Sequence, residues 1–151
     1  MVIRNRVNKY QGGWTLIEVS LTLALIGALA ALAIPAFAQI GDRLDREMFL
    51  GVLASDLRMA QRIAMMRETE TEIQFHKQGS RYSVIQGKRI ISQENVPPRY
   101  RLKTNYPGDR LQFRRTGQVR GGTFRLMKGD QLAGKVIIQV GSGRVRVEVE
   151  P

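Results

Sequence analysis

From Val19 to Ile40 the chain runs for 22 residues without a charged side chain, and nothing else in the sequence restricts its fold as strongly. About 20 mostly apolar residues let a helix cross roughly 30 Å of hydrocarbon. Leu and Ala dominate the run, and only Ser20, Thr22 and Gln39 are clearly polar. Ahead of it lies a basic leader in which Arg4, Arg6 and Lys9 stand without an acid. By the positive-inside rule the N-terminus stays cytoplasmic and the C-terminal part lies outside, with a single pass through the membrane. One residue disturbs this picture. Glu18 stands at the mouth of the run, where a carboxylate drawn towards the bilayer core costs about 3 kcal/mol.

Three readings of this region compete. A secretory signal peptide would be cut after the small-x-small "AFA" of Ala36–Ala38 and release the chain from Gln39 onward. A plain membrane anchor would not be cut at all. A third kind of leader would be cut before the apolar run rather than after it. The apolar core is long for a signal peptide, and Glu18 is out of place in the first two readings.

The remaining composition excludes several function classes. The chain of 151 residues has no cysteine, so disulfides, thiolate catalysis and Cys-based metal sites are absent. Its single histidine, His76, cannot build a metal cluster and reads as a surface residue, so no metal or cofactor is expected. Lys and Arg number 24 against 13 Asp and Glu, and the excess is uneven. Residues 14–98 hold nine of each sign, whereas residues 99–151 hold twelve basic and four acidic side chains. An electrostatic partner should therefore meet the C-terminal end.

After Gly41 the sequence turns charged but keeps a helical period. Phe49, Val52, Leu53, Leu57, Ala60, Ile63 and Ala64 fall on one side, and Asp45, Arg46, Asp56, Arg58 and Arg62 on the other. This predicts an amphipathic helix to about Glu68, with Met59, Met65 and Met66 as core filler. From Thr71 the period changes to two. Strands are expected over Glu72–His76, Tyr82–Gln86, Arg99–Thr104, Arg110–Arg114, Thr123–Met127, Lys135–Val140 and Arg144–Glu148. "KQGS", "QENVPP", "NYPGD", "RTGQVRGG", "MKGDQLAG" and "GSG" are the connections. The fold class is α+β, a long N-terminal helix whose second half packs on antiparallel sheet.

Two apparent motifs are rejected. "GDQLAGK" (Gly129–Lys135) matches the start of a phosphate-binding loop, but Val136 stands where Ser or Thr would hold magnesium. A β-branched run follows it instead of a helix, so it reads as a hairpin loop. Glu68, Glu70 and Glu72 cluster without a partner histidine and read as a solvated edge. Neither supports an enzyme.

"GGWTLIEV" resembles the prepilin motif of type IV pilins and type II secretion pseudopilins, in which a Gly precedes the cut and a Glu stands fifth after it. The resemblance implies cleavage by a prepilin peptidase between Gly13 and Trp14, then N-methylation of Trp14. It places Glu18 at the fifth mature position and Pro35 where pilins carry a helix-kinking proline. Trp14 departs from the usual Phe but stays aromatic. In such assemblies Glu18 of one subunit pairs with the Trp14 amine of a neighbour, which sets axial register. Ala24, Gly27, Ala28 and Ala31 would allow close helix contact, as in any small-residue membrane helix. The domains implied are a removed leader (1–13), a transmembrane and assembly helix (14–40), its amphipathic continuation (41–70) and a β-rich domain (71–151).

The tail "LQFRRTGQVRGGTFRLMKGDQLAGKVIIQVGSGRVRVE" resembles the GspH/FimT-type minor pseudopilins. Within that group the chain looks most like a minor pseudopilin of the Gram-positive competence pilus. The family implies a structural subunit of a cell-surface filament, partnered by other pilins, in DNA uptake or in type II protein secretion. Arg110, Arg114, Arg115, Arg120, Arg125, Arg144 and Arg146 form a basic set suited to non-specific DNA contact, although few aromatics lie among them to stack on bases.

Overall fold

The computed structural model describes residues 13–150. Apart from Gly13, the leader assigned to residues 1–13 lies outside the described residues. The chain divides into two compact units between Ile40 and Gly41. One helix, α1 (Leu16–Met66), supplies residues to both.

In the first unit α1 is apolar on every side. Leu21, Leu25, Leu29 and Leu32 expose between 60% and 74% of their surface. A stretch so apolar is uncovered in water but covered by lipid or by neighbouring helices. Among the described residues α1 is the helix long and apolar enough to cross a membrane. Pro35 lies inside it without ending it, and its ring nitrogen withholds the hydrogen bond that the Ala31 carbonyl would otherwise accept.

In the second unit α1 becomes one-sided. Leu50, Leu53, Leu57, Ala60 and Ala64 are fully buried, at alternating steps of three and four residues. Eight strands follow: β1 (Thr71–Phe75), β2 (Arg81–Gln86), β3 (Arg89–Asn95), β4 (Arg101–Thr104), β5 (Arg110–Phe113), β6 (Gly122–Lys128), β7 (Gln131–Ile138) and β8 (Val145–Val149). They form two antiparallel sheets of four, ordered β3-β2-β1-β5 and β4-β6-β7-β8. The chain therefore changes sheet three times, after β3, β4 and β5. Aromatic rings join the layers: Phe49 of the helix meets Tyr82, Tyr82 meets Phe75, and Phe75 packs on Phe124 of the second sheet with centroids 4.7 Å apart. The Tyr82 hydroxyl donates to Asp56 at 2.8 Å. Burial first, and then this carboxylate, hold the phenol above the ordinary tyrosine range.

Several expectations need correction. Val52 was placed in the buried stripe but is 41% exposed, while Leu50 takes a core position. Val52 lies two residues from Leu50, about 200° around the helix, so both cannot face the sheets. Met65 and Met66 are not core filler. Met66 ends the helix at 83% exposure, and Met65, half-exposed, lies over the turn at Gly117. The strand β3 was missed, and its Gln93–Asn95 were read as loop. It is an edge strand whose residues are exposed or half-exposed throughout, with a register shift opposite Val84 and Ile85, so no alternation marks it. The "MKGDQLAG" connection is mostly strand. Only Gly129 and Asp130 separate β6 from β7, so the rejected phosphate-loop segment is largely β7 rather than a hairpin loop. Gly134 hid that strand, having no side chain to report burial. A Cβ there would come within 2.6 Å of Leu50, so glycine lets the helix approach the sheet.

The corrected stripe has a direct consequence. In chemical denaturation of the detergent-solubilised chain, Leu57→Ala is expected to cost about 2–5 kcal/mol, and Val52→Ala to stay within about 0.5 kcal/mol of wild type. Equal losses would contradict the observed facing of α1.

Candidate functional site

Gly13 and Trp14 precede the helix, and both are exposed. The Thr15 hydroxyl accepts from the Glu18 backbone amide at 3.3 Å, so Thr15-Leu16-Ile17-Glu18 forms the start of a Thr-x-x-Glu capping pattern. The motif was read for its cleavage spacing, and this second role was missed. Glu18 thus occupies the first helical turn, where the helix dipole favours negative charge. Its side chain is exposed.

The seven arginines do not form one stripe. Arg110, Arg114 and Arg120 line an open cleft of about 640 Å³ together with Tyr106, Gln118 and Val140. The Tyr106 hydroxyl donates to the Arg120 carbonyl at 2.8 Å and so fixes that loop. Burial pushes the Tyr106 phenol up to about 12. Arg110 is partly neutralised, its Nε lying 3.3 Å from Glu72. Arg144 and Arg146 line a second groove, of about 400 Å³, with Arg58 from the helix. Arg125 lies apart on β6, beside Lys103 and Lys135. Arg115 is exposed in the turn after β5 and lines none of the three.

Four residues outside the expected set shape these surfaces. Gln61 projects from α1 and donates to the Gly117 carbonyl at 2.9 Å and the Ser142 carbonyl at 3.1 Å. It thereby fastens the turn carrying Arg114 and Arg115 to the turn carrying Arg144. Arg58, Lys103 and Lys135 add cations outside the set of seven arginines. Helical spacing carried the signal for the first pair, since Arg58 and Gln61 lie three apart on one face. Lys103 and Lys135 join Arg125 only through strand register. Lys135 pairs with Glu148 at 2.8 Å, which holds its ammonium above the usual range and the carboxylate below it. His76 is half-buried, with Nε2 3.2 Å from the Ser83 hydroxyl. Among the described residues no cluster of His, Cys, Asp or Glu could hold a metal ion.

Asp42 secures the beginning of the second unit. Its carboxylate accepts from Lys128 at 2.7 Å and from Arg99, and its carbonyl accepts from the Tyr100 hydroxyl at 3.0 Å. The helix is thus tied to the approach to β4 and to the end of β6. Lys128 first, with Arg99, holds the Asp42 carboxyl below the usual carboxylate range.

No family model matches the chain. It is 27% identical over 136 residues to the competence protein ComGD of Bacillus subtilis (strain 168), covering 90% of this chain and 92% of that one. Its fold matches the minor pseudopilin EpsH of the Vibrio cholerae type 2 secretion system, with a TM-score of 0.60 at 12% identity over 72% of this chain and 96% of the other. It also matches the type IV minor pilin FimU of Pseudomonas aeruginosa PAO1, with a TM-score of 0.60 at 17% identity over 73% and 91%. The chain has a pilin-like fold. Its apolar helix fits membrane anchoring.

The Asp42 cluster gives this chain a pH signature. A carboxyl with a lowered folded-state pKa adds stability above its unfolded pKa, and that stability is lost as pH falls through the folded value. For the full chain in neutral detergent, Asp42→Asn should lower the thermal midpoint at neutral pH. The gap should close as the medium is acidified below about pH 4. A gap that persists unchanged in acid would assign Asp42 no electrostatic role.

Proposed function

We propose that this pilin-like chain is a minor pseudopilin of a competence filament, a structural subunit of the machinery for DNA uptake. A prepilin peptidase removes residues 1–13, and Trp14 becomes the N-methylated first residue. Residues 14–40 hold the subunit in the cell membrane, with the C-terminal domain outside, until other pilins draw it into the filament. There Glu18 answers the Trp14 amine of a neighbour. A buried carboxylate without a partner is expensive, about 3–5 kcal/mol when one member of a buried pair is removed, so the pairing selects one axial register.

The observation that carries this reading is the placement of Glu18, exposed in the first turn of a helix that is otherwise apolar all round as far as Ile40. The competence assignment is supported by the similarity to ComGD, which spans nearly the whole chain. DNA contact, through Arg110, Arg114, Arg115, Arg120, Arg125, Arg144 and Arg146, is supported by their exposure and by the charge excess at that end. A second reading, a subunit of a type II secretion pseudopilus, is favoured by the fold likeness to EpsH. In that setting the basic domain would meet other subunits.

The capping pattern calls for two variants. Glu18→Val removes both the charge and a side chain of the kind that completes a Thr-x-x-Glu cap. Glu18→Gln removes the charge and keeps a residue that suits the capping position. Both are expected to insert into the membrane, and both should be depleted from sheared filaments, measured as subunit in filament against subunit in membrane. Normal incorporation of Glu18→Gln would reduce Glu18 to a helix cap and contradict the pairing.

A further inference from the structure

Strand register brings three cations into line on the outer face of the second sheet. Lys103 of β4 stands opposite Arg125 of β6, and Arg125 stands opposite Lys135 of β7. Residues directly opposite in an antiparallel pair share a face, with Cβ atoms about 4.5–5.5 Å apart. Their chain neighbours Leu102, Phe124 and Val136 are buried, so the three charged side chains project away from the core.

Like charges placed directly opposite weaken a sheet, and opposite charges strengthen it. The next step along the same row follows that rule, because Lys135 faces Glu148 of β8. The two preceding steps break it. Glu148 cannot compensate all three cations, since it already serves Lys135 at 2.8 Å and Arg146 at 3.3 Å. Asp130 borders the same cleft, from the turn between β6 and β7, and takes part in no ion pair among the described residues. Lys103 and Arg125 likewise have no carboxylate partner among the described residues. The row borders an open cleft of about 490 Å³ whose other walls are Thr123, Met127, Leu132 and Ile137.

We infer that Lys103, Arg125 and Lys135 form a track for a phosphodiester backbone lying across the strands of the second sheet. This rests on the reading that the subunit contacts DNA, and it names a contact surface two of whose three cations lie outside the arginine set. The row spans two strand spacings, roughly 10 Å. A B-DNA strand advances about 3.4 Å along its axis per phosphate, and further along the backbone itself, so the row is long enough to meet two neighbouring phosphates. Rigid paired strands hold these cations, whereas Arg114 and Arg115 stand in a turn. An anion bound along the row relieves the repulsion that folding alone leaves in place. The contact is made to the backbone, so it carries no base preference.

The test uses the full chain in neutral detergent and duplex DNA of mixed sequence, titrated with salt. Each lost phosphate contact reduces the slope of log affinity against log salt by about 0.9. Lys103→Gln is expected to lower the slope by about 1, and Lys103→Gln with Arg125→Gln by about 2. Lys103→Glu places an acid opposite Arg125, so it should weaken DNA binding further while the thermal midpoint holds or rises. A loss of folding cannot imitate that combination. Sodium polyphosphate should compete with DNA for the wild-type chain, and failure to compete would overturn a backbone track. If the Lys103 variants bind as wild type while Arg114→Gln, Arg115→Gln and Arg120→Gln together weaken binding, the track falls and DNA contact stands. If the wild-type chain binds no DNA at low salt, both fall.

Discussion

Leu50, Leu53, Leu57, Ala60 and Ala64 form the seam on which the second unit is built. Both sheets belong to one hydrophobic cluster with this stripe, and among the described residues no second α-helix covers either. The small residues of the seam matter as much as the leucines. Ala60 and Ala64 are fully buried, and Gly134 leaves room for Leu50 where any side chain would collide. The three crossings of the chain between sheets then tether the two layers to each other. Asp56, on the flank of the same helix, anchors Tyr82, and Gln61 ties down two turns that carry arginines. One face of one helix thus sets both the core and the placement of the basic surface.

The same helix must satisfy two environments. Before Gly41 it is apolar all round, and after it only one stripe is apolar. That change was plain in the sequence because charge disappears abruptly between Val19 and Ile40. The central strands were legible for a similar reason. β1 and β6 each bury one face, and burial of one face imposes alternation. The edge strand β3 and the first half of β7 were not legible. One buries neither face and the other passes beneath the helix at a glycine, so neither produces a period of two.

The arginines were legible as an excess of charge but not as an arrangement. Sequence order puts Arg114, Arg115 and Arg120 together and leaves Arg125 at the margin. Strand register does otherwise: it sets Arg125 between Lys103 and Lys135, 22 and 10 residues away in the chain. Helix packing likewise brings Arg58 to Arg144 and Arg146. Long-range pairings of this kind decide which charges act together, and no local pattern encodes them. The N-terminal motif is the opposite case. Gly13, Trp14, Thr15 and Glu18 lie within six consecutive residues, so the resemblance that implies the cleavage point was visible in local order, and only the capping hydrogen bond had to be seen in three dimensions.

The central claim is that the apolar helix remains with the protein and that its first residue is made by cleavage ahead of it. Mass spectrometry of the mature chain, isolated from membranes and from filaments, tests this most directly. The account requires a chain that begins at N-methylated Trp14. A mature chain that begins at Gln39 would contradict it, since the helix and Glu18 would then have been discarded together.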